Sequence, residues 1–423
     1  MTFKPNPQVQ VKYTKIFIND EWQNSVSGKK IPVFNPSTNE KICDVEEGDK
    51  ADVDKAVASA KTAFKNGSVW RTMNAYERGR LLSKFADLVE RDMEYLANLL
   101  TLENGKPFKH AVREINFSLE TLRYYAGCAD KIHGKTIPVD GNSFAYTRVE
   151  PVGICALILS VSKLIRYSVL FQIGRQIQEA VGKSKNKRMS FIMGGNNPLV
   201  VCSDIEDLDE AVQIAHRASF YNQGEGHCAG NRIFVQDGIY DSFVAKSKEL
   251  ALKRVVGDPF DEKTEQGPQI DELQLNKLLE FIESGKREGA VLECGGSRYN
   301  TKGYFMQPTI FSNVQDHMRL TEVEILGPVM QISKFSTFDE VIERSNSYGH
   351  GLAAGILTTD LNKATIYSQQ VRAGLIWINC FLNLSVQAPL GGFHTAGGKD
   401  FGVDAMNSFI ETKTVNMMIS QKK

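Results

Sequence analysis

The second half of the chain alternates short apolar stretches with amphipathic ones, and this alternation constrains the fold more than any other feature. Apolar stretches bounded by turn residues predict strands at Asn197–Ser203, Arg232–Gln236, Gln331–Phe335, Ala353–Thr358 and residues 375–380. Apolar residues at helical spacing predict helices at Leu208–Phe220, Asp271–Glu288 and Asn362–Gln370. Strands and helices that alternate in this way build a parallel sheet covered by helices, so the sequence predicts an α/β fold.

The first half is predicted to be mainly helical after a few short strands between Tyr13 and Asn35. Helical patterns lie around Arg78–Leu102 and Glu114–Ile132. An earlier helix, which begins at Asp52 and stops at Gly67, carries one apolar stripe made of Val53, Ala56, Val57, Ala60, Ala63 and Phe64. Such a stripe is typical of a helix side that packs in a core.

The segment from Ser143 to Ser160 predicts an extended strand followed by a buried strand, with Pro151 and Gly153 at the start of the second. In an open α/β protein such a strand begins a nucleotide-binding unit of turn, crossover helix and second strand. That unit needs about 30 residues or more. Here an amphipathic helix already begins at about Gly174, and the turn glycines and second buried strand are missing. The sequence therefore predicts a shortened nucleotide-binding unit.

Composition excludes several classes of partner. The 50 Lys and Arg residues balance the 50 Asp and Glu residues, so there is no overall attraction to nucleic acid or to an anionic membrane. Seven cysteines without a C-x-x-C pair indicate a reducing compartment and no structural zinc or other metal site. We find no secretory signal and no apolar run of eighteen residues, which predicts a cytoplasmic protein without a membrane span.

Segments spread along almost the whole chain carry a family resemblance. They are KYTKIFINDEWQNSVSGKKIPVFNPST (12–38), VEEGDKADVDKAV (45–57), ERGRLL (77–82), TEQGPQID (264–271), IESGKREGAVLECGG (282–296), EILGPV (324–329), WINC (377–380) and PLGGF (389–393). Together they resemble the aldehyde dehydrogenases of the cytosolic and retinal type.

The resemblance implies an aldehyde dehydrogenase-like α/β fold with three parts. A truncated Rossmann-type NAD-binding domain would comprise residues 1–142 and 151–193, and an α/β catalytic domain would comprise residues 194–398. A small β oligomerisation arm would comprise residues 143–150 and 399–423. Because the family associates through this arm, the resemblance also implies a homodimer or homotetramer.

The resemblance implies a reaction as well. In the family a cysteine thiolate attacks the aldehyde carbonyl, hydride passes to NAD, and a glutamate-activated water hydrolyses the resulting thioester. An asparagine side chain and a backbone N–H stabilise the oxyanion.

This chain departs from the family pattern at the residues that carry the chemistry. The motif FYNQG before the nucleophile loop and the motif AGNRIFV after it fix the alignment, and His227 then stands in the nucleophile's place with Cys228 next to it. In the stretch FIMGG, Ile192 stands in the place of the general-base glutamate. Isoleucine cannot accept a proton from water, and imidazole cannot form the thioester.

The cofactor motifs of the family are largely missing. Residues Leu159, Ser160 and Val161 follow the predicted buried strand where the family has its Pro-Trp-Asn-Phe-Pro motif, and the Lys-Pro-x-Glu stretch for the adenosine ribose is absent. Val169 stands in the place of the glycine that approaches the pyrophosphate, where a β-branched side chain would crowd it. Only Glu324, in the nicotinamide-ribose position, survives, so the sequence predicts that NAD, the family cofactor, is not bound.

Three functional hypotheses follow. The first is a catalytically impaired homologue that serves as a structural or binding protein, similar in character to the Ω-crystallins of this family. The second is a shortened product of a gene that encodes more, although skipped exons would not change His227 or Ile192. The third is a working NAD-dependent enzyme that converts aldehydes such as retinal to carboxylic acids, or an esterase, with Cys228 as the nucleophile.

Overall fold

The structure is a computed structural model that describes residues 3–158, 171–184, 187–191, 193–349, 351–393 and 397–419. Its strands are β1 (Ile16–Ile18), β2 (Glu21–Gln23), β3 (Lys30–Phe34), β4 (Lys41–Glu46), β5 (Thr136–Ile137), β6 (Ser143–Pro151), β7 (Pro198–Val201), β8 (Arg232–Gln236), β9 (Val291–Cys294), β10 (Thr309–Ser312), β11 (Val329–Phe335), β12 (Ala353–Leu357), β13 (Leu375–Ile378), β14 (Leu390–Gly391), β15 (Lys399–Asp400) and β16 (Ile410–Met418).

The helices lie mainly in the first third of the chain and between the strands of the second half. They are α1 (Lys50–Phe64), α2 (Val69–Thr72), α3 (Ala75–Arg91), α4 (Met93–Asn104), α5 (Phe108–Cys128), α6 (Phe171–Gly182), α7 (Leu208–Phe220), α8 (Tyr240–Lys253), α9 (Glu272–Arg287), α10 (Arg319–Glu322), α11 (Phe338–Asn346) and α12 (Leu361–Gln370). Among the described residues, no helix is both long and apolar enough to cross a bilayer.

The second half of the chain forms the sheet that the alternating pattern predicts. Seven strands lie in the order β13-β12-β7-β8-β11-β10-β9, and all neighbours are parallel except β9 and β10. Every residue of β7, β10 and β12 is buried, as expected for parallel strands covered on both faces. The predicted α/β fold with a central parallel sheet is confirmed.

Side-chain caps define where the covering helices begin. The Asp207 carboxylate accepts from the N–H groups of Asp209 and Glu210 at the start of α7. Thr337 and Glu340 form a reciprocal capping box at the start of α11. Each cap satisfies backbone donors that a helix cannot satisfy within itself.

The helices of the first half form a separate, smaller core. Ala86 of α3, Leu100 of α4 and Ile115 of α5 are buried against one another in this cluster. The helix predicted over Arg78–Leu102 is two helices, because the chain breaks at Asp92, where ψ is 12°.

The apolar stripe of α1 is not in a core, and that prediction was wrong. Val53 is 58% exposed and Val57 is 38% exposed, while Asp52 is the buried residue of this helix.

The strand predicted from about Val152 onward is also wrong, because residues 152–158 form no strand and expose Ile154, Leu157 and Ile158. A parallel strand needs neighbours for its backbone hydrogen bonds, and no strand in the described part of the chain pairs with this segment. The rest of the predicted strand, residues 159–160, lies outside the described residues.

The two segments expected to build the β arm pair with each other. β16 lies antiparallel to β6 over nine residue pairs, from Ile410 opposite Pro151 to Met418 opposite Ser143, and β5 extends the sheet on the other side of β6. The exposed Phe144 and Met417 face each other across β6 and β16. This small sheet carries apolar surface on the isolated chain.

Buried and exposed apolar residues of the first half are expected to differ in their contribution to the free energy of unfolding. We expect Ile115→Ala to lower the free energy of unfolding by about 2–5 kcal/mol, because Ile115 is fully buried. We expect Val53→Ala to change it by less than about 0.5 kcal/mol, because most of Val53 already contacts solvent. Urea unfolding of both variants measures the difference, and equal losses would contradict the exposed position of α1.

A buried acid at the end of α4 predicts a pH-dependent stability. Burial raises the pKa of Glu103 from its ordinary 4.5 to about 7, against a smaller opposing effect of Lys106. The folded state therefore favours the protonated acid, and this contribution is present below pH 4.5 and lost as the pH rises through 7. We expect Glu103→Gln to reduce the loss of stability between pH 5 and pH 8 by on the order of 2 kcal/mol.

Urea unfolding at the two pH values measures this effect. Glu94→Gln, on the exposed side of the same helix, is the control and should leave the pH dependence as it is. An identical pH dependence in Glu103→Gln and the unchanged protein would disprove the assignment.

Candidate functional site

The loop that carries His227 follows a strained turn at the end of α7. After Phe220, the residues Asn222 and Gln223 take left-handed backbone angles, with φ of 53° and 57°. Non-glycine residues in this region cost about 1–3 kcal/mol each and persist only where the surroundings hold them. Gly224 follows with φ of 71°, and a Cβ there would lie 2.0 Å from the carbonyl oxygen of Gly327. The turn is thus packed tightly against the loop at 324–328.

A buried asparagine, Asn197, holds the backbone of the His227 loop. Its Nδ2 donates to the carbonyl oxygens of His227 at 2.8 Å, Ala229 at 3.0 Å and Gly195 at 3.1 Å. Its Oδ1 accepts from the N–H of Ala353 in β12 at 3.0 Å. The loop is therefore fixed directly to the central sheet.

The side chains of His227 and Glu324 contact each other, a contact that the sequence did not predict. His227 Nδ1 lies 3.1 Å from Glu324 Oε1. His227 is 8% exposed, and the Glu324 side chain is 16% exposed. The carboxylate lies against Gly194, where a Cβ would be only 1.8 Å from Oε1. Glycine at this position therefore makes room for the carboxylate beside the imidazole.

Cys228 belongs to a different environment. It is buried in the main hydrophobic core with Leu199 of β7, Phe220 of α7 and Ile233 of β8. Cys228 is thus packed among apolar side chains, while its neighbour His227, in the same turn, contacts the carboxylate of Glu324.

Several residues singled out in the sequence lie outside the described residues. They are Ile192 in the general-base place, Val169 in the close-approach place, and Leu159, Ser160 and Val161 after the predicted strand. Among the residues that the structure does describe, no group of three or more His, Cys, Asp or Glu side chains is placed to hold a metal ion.

Two features of the described residues bear on the NAD site of the family. The surviving family contact, Glu324, has its carboxylate hydrogen-bonded to His227 and pressed against Gly194. The segment 152–158, which would be the first strand of the nucleotide-binding unit, is largely exposed and pairs with no strand in the described part of the chain. A dinucleotide needs a strand end and a helix N-terminus at this point.

A buried polar group beneath the turn was also missed by the sequence analysis. His110 of α5 packs its ring 4.9 Å from that of Tyr221, and burial lowers its pKa to about 3. Lys106 is fully buried and pairs with Glu114 at 2.5 Å. The sequence around Lys106 and His110 gives no signal for these two contacts, because they depend on how α4 and α5 pack against the turn.

A sequence profile of the aldehyde dehydrogenase family matches residues 22–160 and 171–415. Retinal dehydrogenase 2 of Homo sapiens is 45% identical over 489 residues, covering 99% of this chain and 94% of the relative. Aldehyde dehydrogenase, cytosolic 1 of Mus musculus is 45% identical over 489 residues, with coverage of 99% and 97%. Both alignments span 489 positions, more than the 423 residues of the chain, and the profile match is interrupted between residues 160 and 171.

Solved structures agree with the sequence relatives. A mutant aldehyde dehydrogenase from Bacillus cereus matches with a TM-score of 0.92 and 31% identity over 97% of both chains. An NAD+ complex of the aldehyde dehydrogenase from Bacillus cereus matches with a TM-score of 0.91 and 30% identity, again over 97% of both chains. The sequence resemblance is confirmed, and this chain belongs to the aldehyde dehydrogenase family.

Proposed function

We propose that this member of the aldehyde dehydrogenase family does not oxidise aldehydes through a thioester and serves instead as a structural or binding protein. The observation that carries the proposal is the hydrogen bond between His227 and Glu324 in the place of the family's thiolate. An imidazole there forms no thiohemiacetal from which hydride could leave, and therefore no thioester. The burial of Cys228 in the apolar core supports the same conclusion, because a thiolate is disfavoured in such surroundings.

The proposal includes the loss of NAD binding. The relative of known structure binds NAD+ according to its description. In this chain the carboxylate of Glu324 is engaged with His227, and residues 152–158 lie exposed. The division into a shortened NAD-type domain, a catalytic-type domain and a β arm remains part of this proposal.

We further propose that the chain forms a homodimer or homotetramer in the cytoplasm. Support comes from apolar residues that the isolated chain exposes, among them Val53, Leu157 and Met418. Burial of such surface stabilises association in water. The description of the mouse relative as cytosolic supports the location.

A second candidate function is favoured by the comparisons taken alone. Relatives with 45% identity are described as retinal and cytosolic aldehyde dehydrogenases, which supports an NAD-dependent oxidation of aldehydes such as retinal. That activity would require Cys228 to leave the core and meet the substrate.

The crystallin-like role remains a prediction that neither the contacts nor the relatives' descriptions support. The interruption of the profile match between residues 160 and 171 supports a shortened gene product, whereas His227 lies outside that interruption.

The proposed function predicts that the protein neither oxidises aldehydes nor binds NAD. We expect the purified protein to form no NADH from retinal or from a short aliphatic aldehyde, and to give no heat on titration with NAD. The reason is that neither a thiolate nor a dinucleotide site is available at the loop. Mouse cytosolic aldehyde dehydrogenase 1, measured in parallel, is the positive control. NADH formation that disappears in Cys228→Ala would support the second candidate instead.

The proposed oligomer predicts the mass of the protein particle in solution. We expect sedimentation equilibrium to give a particle of at least twice the chain mass of 47.2 kDa, because the exposed apolar surface favours association. A monomer that persists at high protein concentration would contradict the proposed oligomer without bearing on the chemistry at His227.

A further inference from the structure

Helix α3 is apolar on two opposite sides, one of which is exposed. Gly79 and Ala86 are buried on the side that packs against α5, where a Cβ on Gly79 would lie 2.7 Å from a backbone oxygen of that helix. Leu81, Phe85 and Leu88 follow one another at spacings of four and three, so they share the opposite side. These three side chains are 43%, 53% and 40% exposed. A helix that is apolar on two sides is expected to pack on both, so the described part of the chain leaves the second side uncovered.

The chain as a whole exposes more surface than a compact monomer of its mass. Its solvent-accessible surface is 23001 Å², whereas about 16,000 Å² is expected for a folded monomer of 47.2 kDa. A stable interface between two proteins buries about 800 Å² on each partner. The difference of about 7,000 Å² is several times that area. The chain therefore has enough uncovered surface for an interface along α3 in addition to any contact at the β arm.

Charged residues beside the exposed apolar side make α3 complementary to a second copy of itself. Glu77, Lys84 and Arg91 follow one another at seven-residue spacing, so they lie along one flank of that side. When two α3 helices pack antiparallel, the end of this flank that carries Glu77 lies beside the end that carries Arg91 on the second copy. Within the chain Glu77 pairs with Arg80 and Arg91 pairs with Asp92, but these pairs are exposed and contribute little. Lys84 lies near the middle, where its long side chain can extend into solvent.

We propose that the exposed side of α3, made of Leu81, Phe85 and Leu88, is an interface with a second copy of this chain, packed antiparallel about a two-fold axis near Phe85. Leu81 of one copy then lies near Leu88 of the other, and the two Phe85 rings lose their water at the centre. Burial of apolar side chains drives this association, and the flanking charges select the antiparallel direction. The inference rests on the proposed homo-oligomer and assigns one of its interfaces.

Sedimentation equilibrium of the full chain over a series of dilutions measures the dissociation constant of this interface. We expect Phe85→Glu to raise it by at least about 30-fold, because the central side chains of an interface contribute most and a carboxylate there would have to lose its water. Leu273→Glu, at an exposed apolar residue of α9, is the matched control and should leave the dissociation constant unchanged. Both side chains contact solvent in the isolated chain, so neither change should unfold it, and urea unfolding of each variant checks this.

A charge exchange tests the antiparallel direction. We expect Glu77→Arg to raise the dissociation constant by roughly 3–10-fold, because it places like charges beside each other across the interface. The double change Glu77→Arg with Arg91→Glu restores opposite charges and should restore the dissociation constant. A double variant that associates as weakly as Glu77→Arg alone would overturn the antiparallel packing.

A photoreactive amino acid, benzoylphenylalanine, in place of Phe85 gives a readout that does not depend on weakening the interface. Light and heavy isotope-labelled chains are mixed at low concentration, concentrated and irradiated. We expect crosslinks from residue 85 of one isotope to residues 77–91 of the other, identified by mass spectrometry. Crosslinks found only within one chain would overturn the inference, as would an unchanged dissociation constant in Phe85→Glu, and the proposed oligomer would stand in both cases. A monomer in the unchanged protein would overturn both, so the two failures are distinguishable.

Discussion

A parallel strand is stable only between neighbours that satisfy its backbone hydrogen bonds, and this requirement governs both halves of the molecule. In the second half this requirement is met, since β7, β8 and β12 pair on both sides and all residues of β7 and β12 are buried. In the first half, residues 152–158 form no strand and pair with no strand among the described residues. The seven-stranded sheet therefore forms without this segment.

The site depends on a tight approach of two loops to the complete sheet. Gly224 packs against Gly327, Gly194 admits the carboxylate of Glu324, and Asn197 joins the His227 loop to β12. In the proposed alignment an imidazole stands where the family has its thiol, and its Nδ1 atom contacts the carboxylate of Glu324.

The sequence predicted the sheet well where strands are apolar and well separated by helices, as at β8 and β12. It missed β10, and it missed α11 although the capping pair Thr337 and Glu340 is visible in the sequence. It aligned His227 and Glu324 with known positions of the family but did not predict their contact, because the two residues are 97 positions apart in the sequence. The stripe of α1 misled because helical spacing records which side is apolar, and not whether a partner for that side exists.

The pairing of β6 with β16 has a consequence for how the chain is made. Ser143 and Met418 are 275 residues apart, so β16 cannot pair with β6 until residues 410–418 have left the ribosome. At about 5–20 residues per second, roughly 14–55 s pass between synthesis of the two strands. During that time β6 presents unpaired backbone groups and the aromatic rings of Phe144 and Tyr146. One edge of β6 therefore stays open until the nine-residue strand β16 is made and pairs with it.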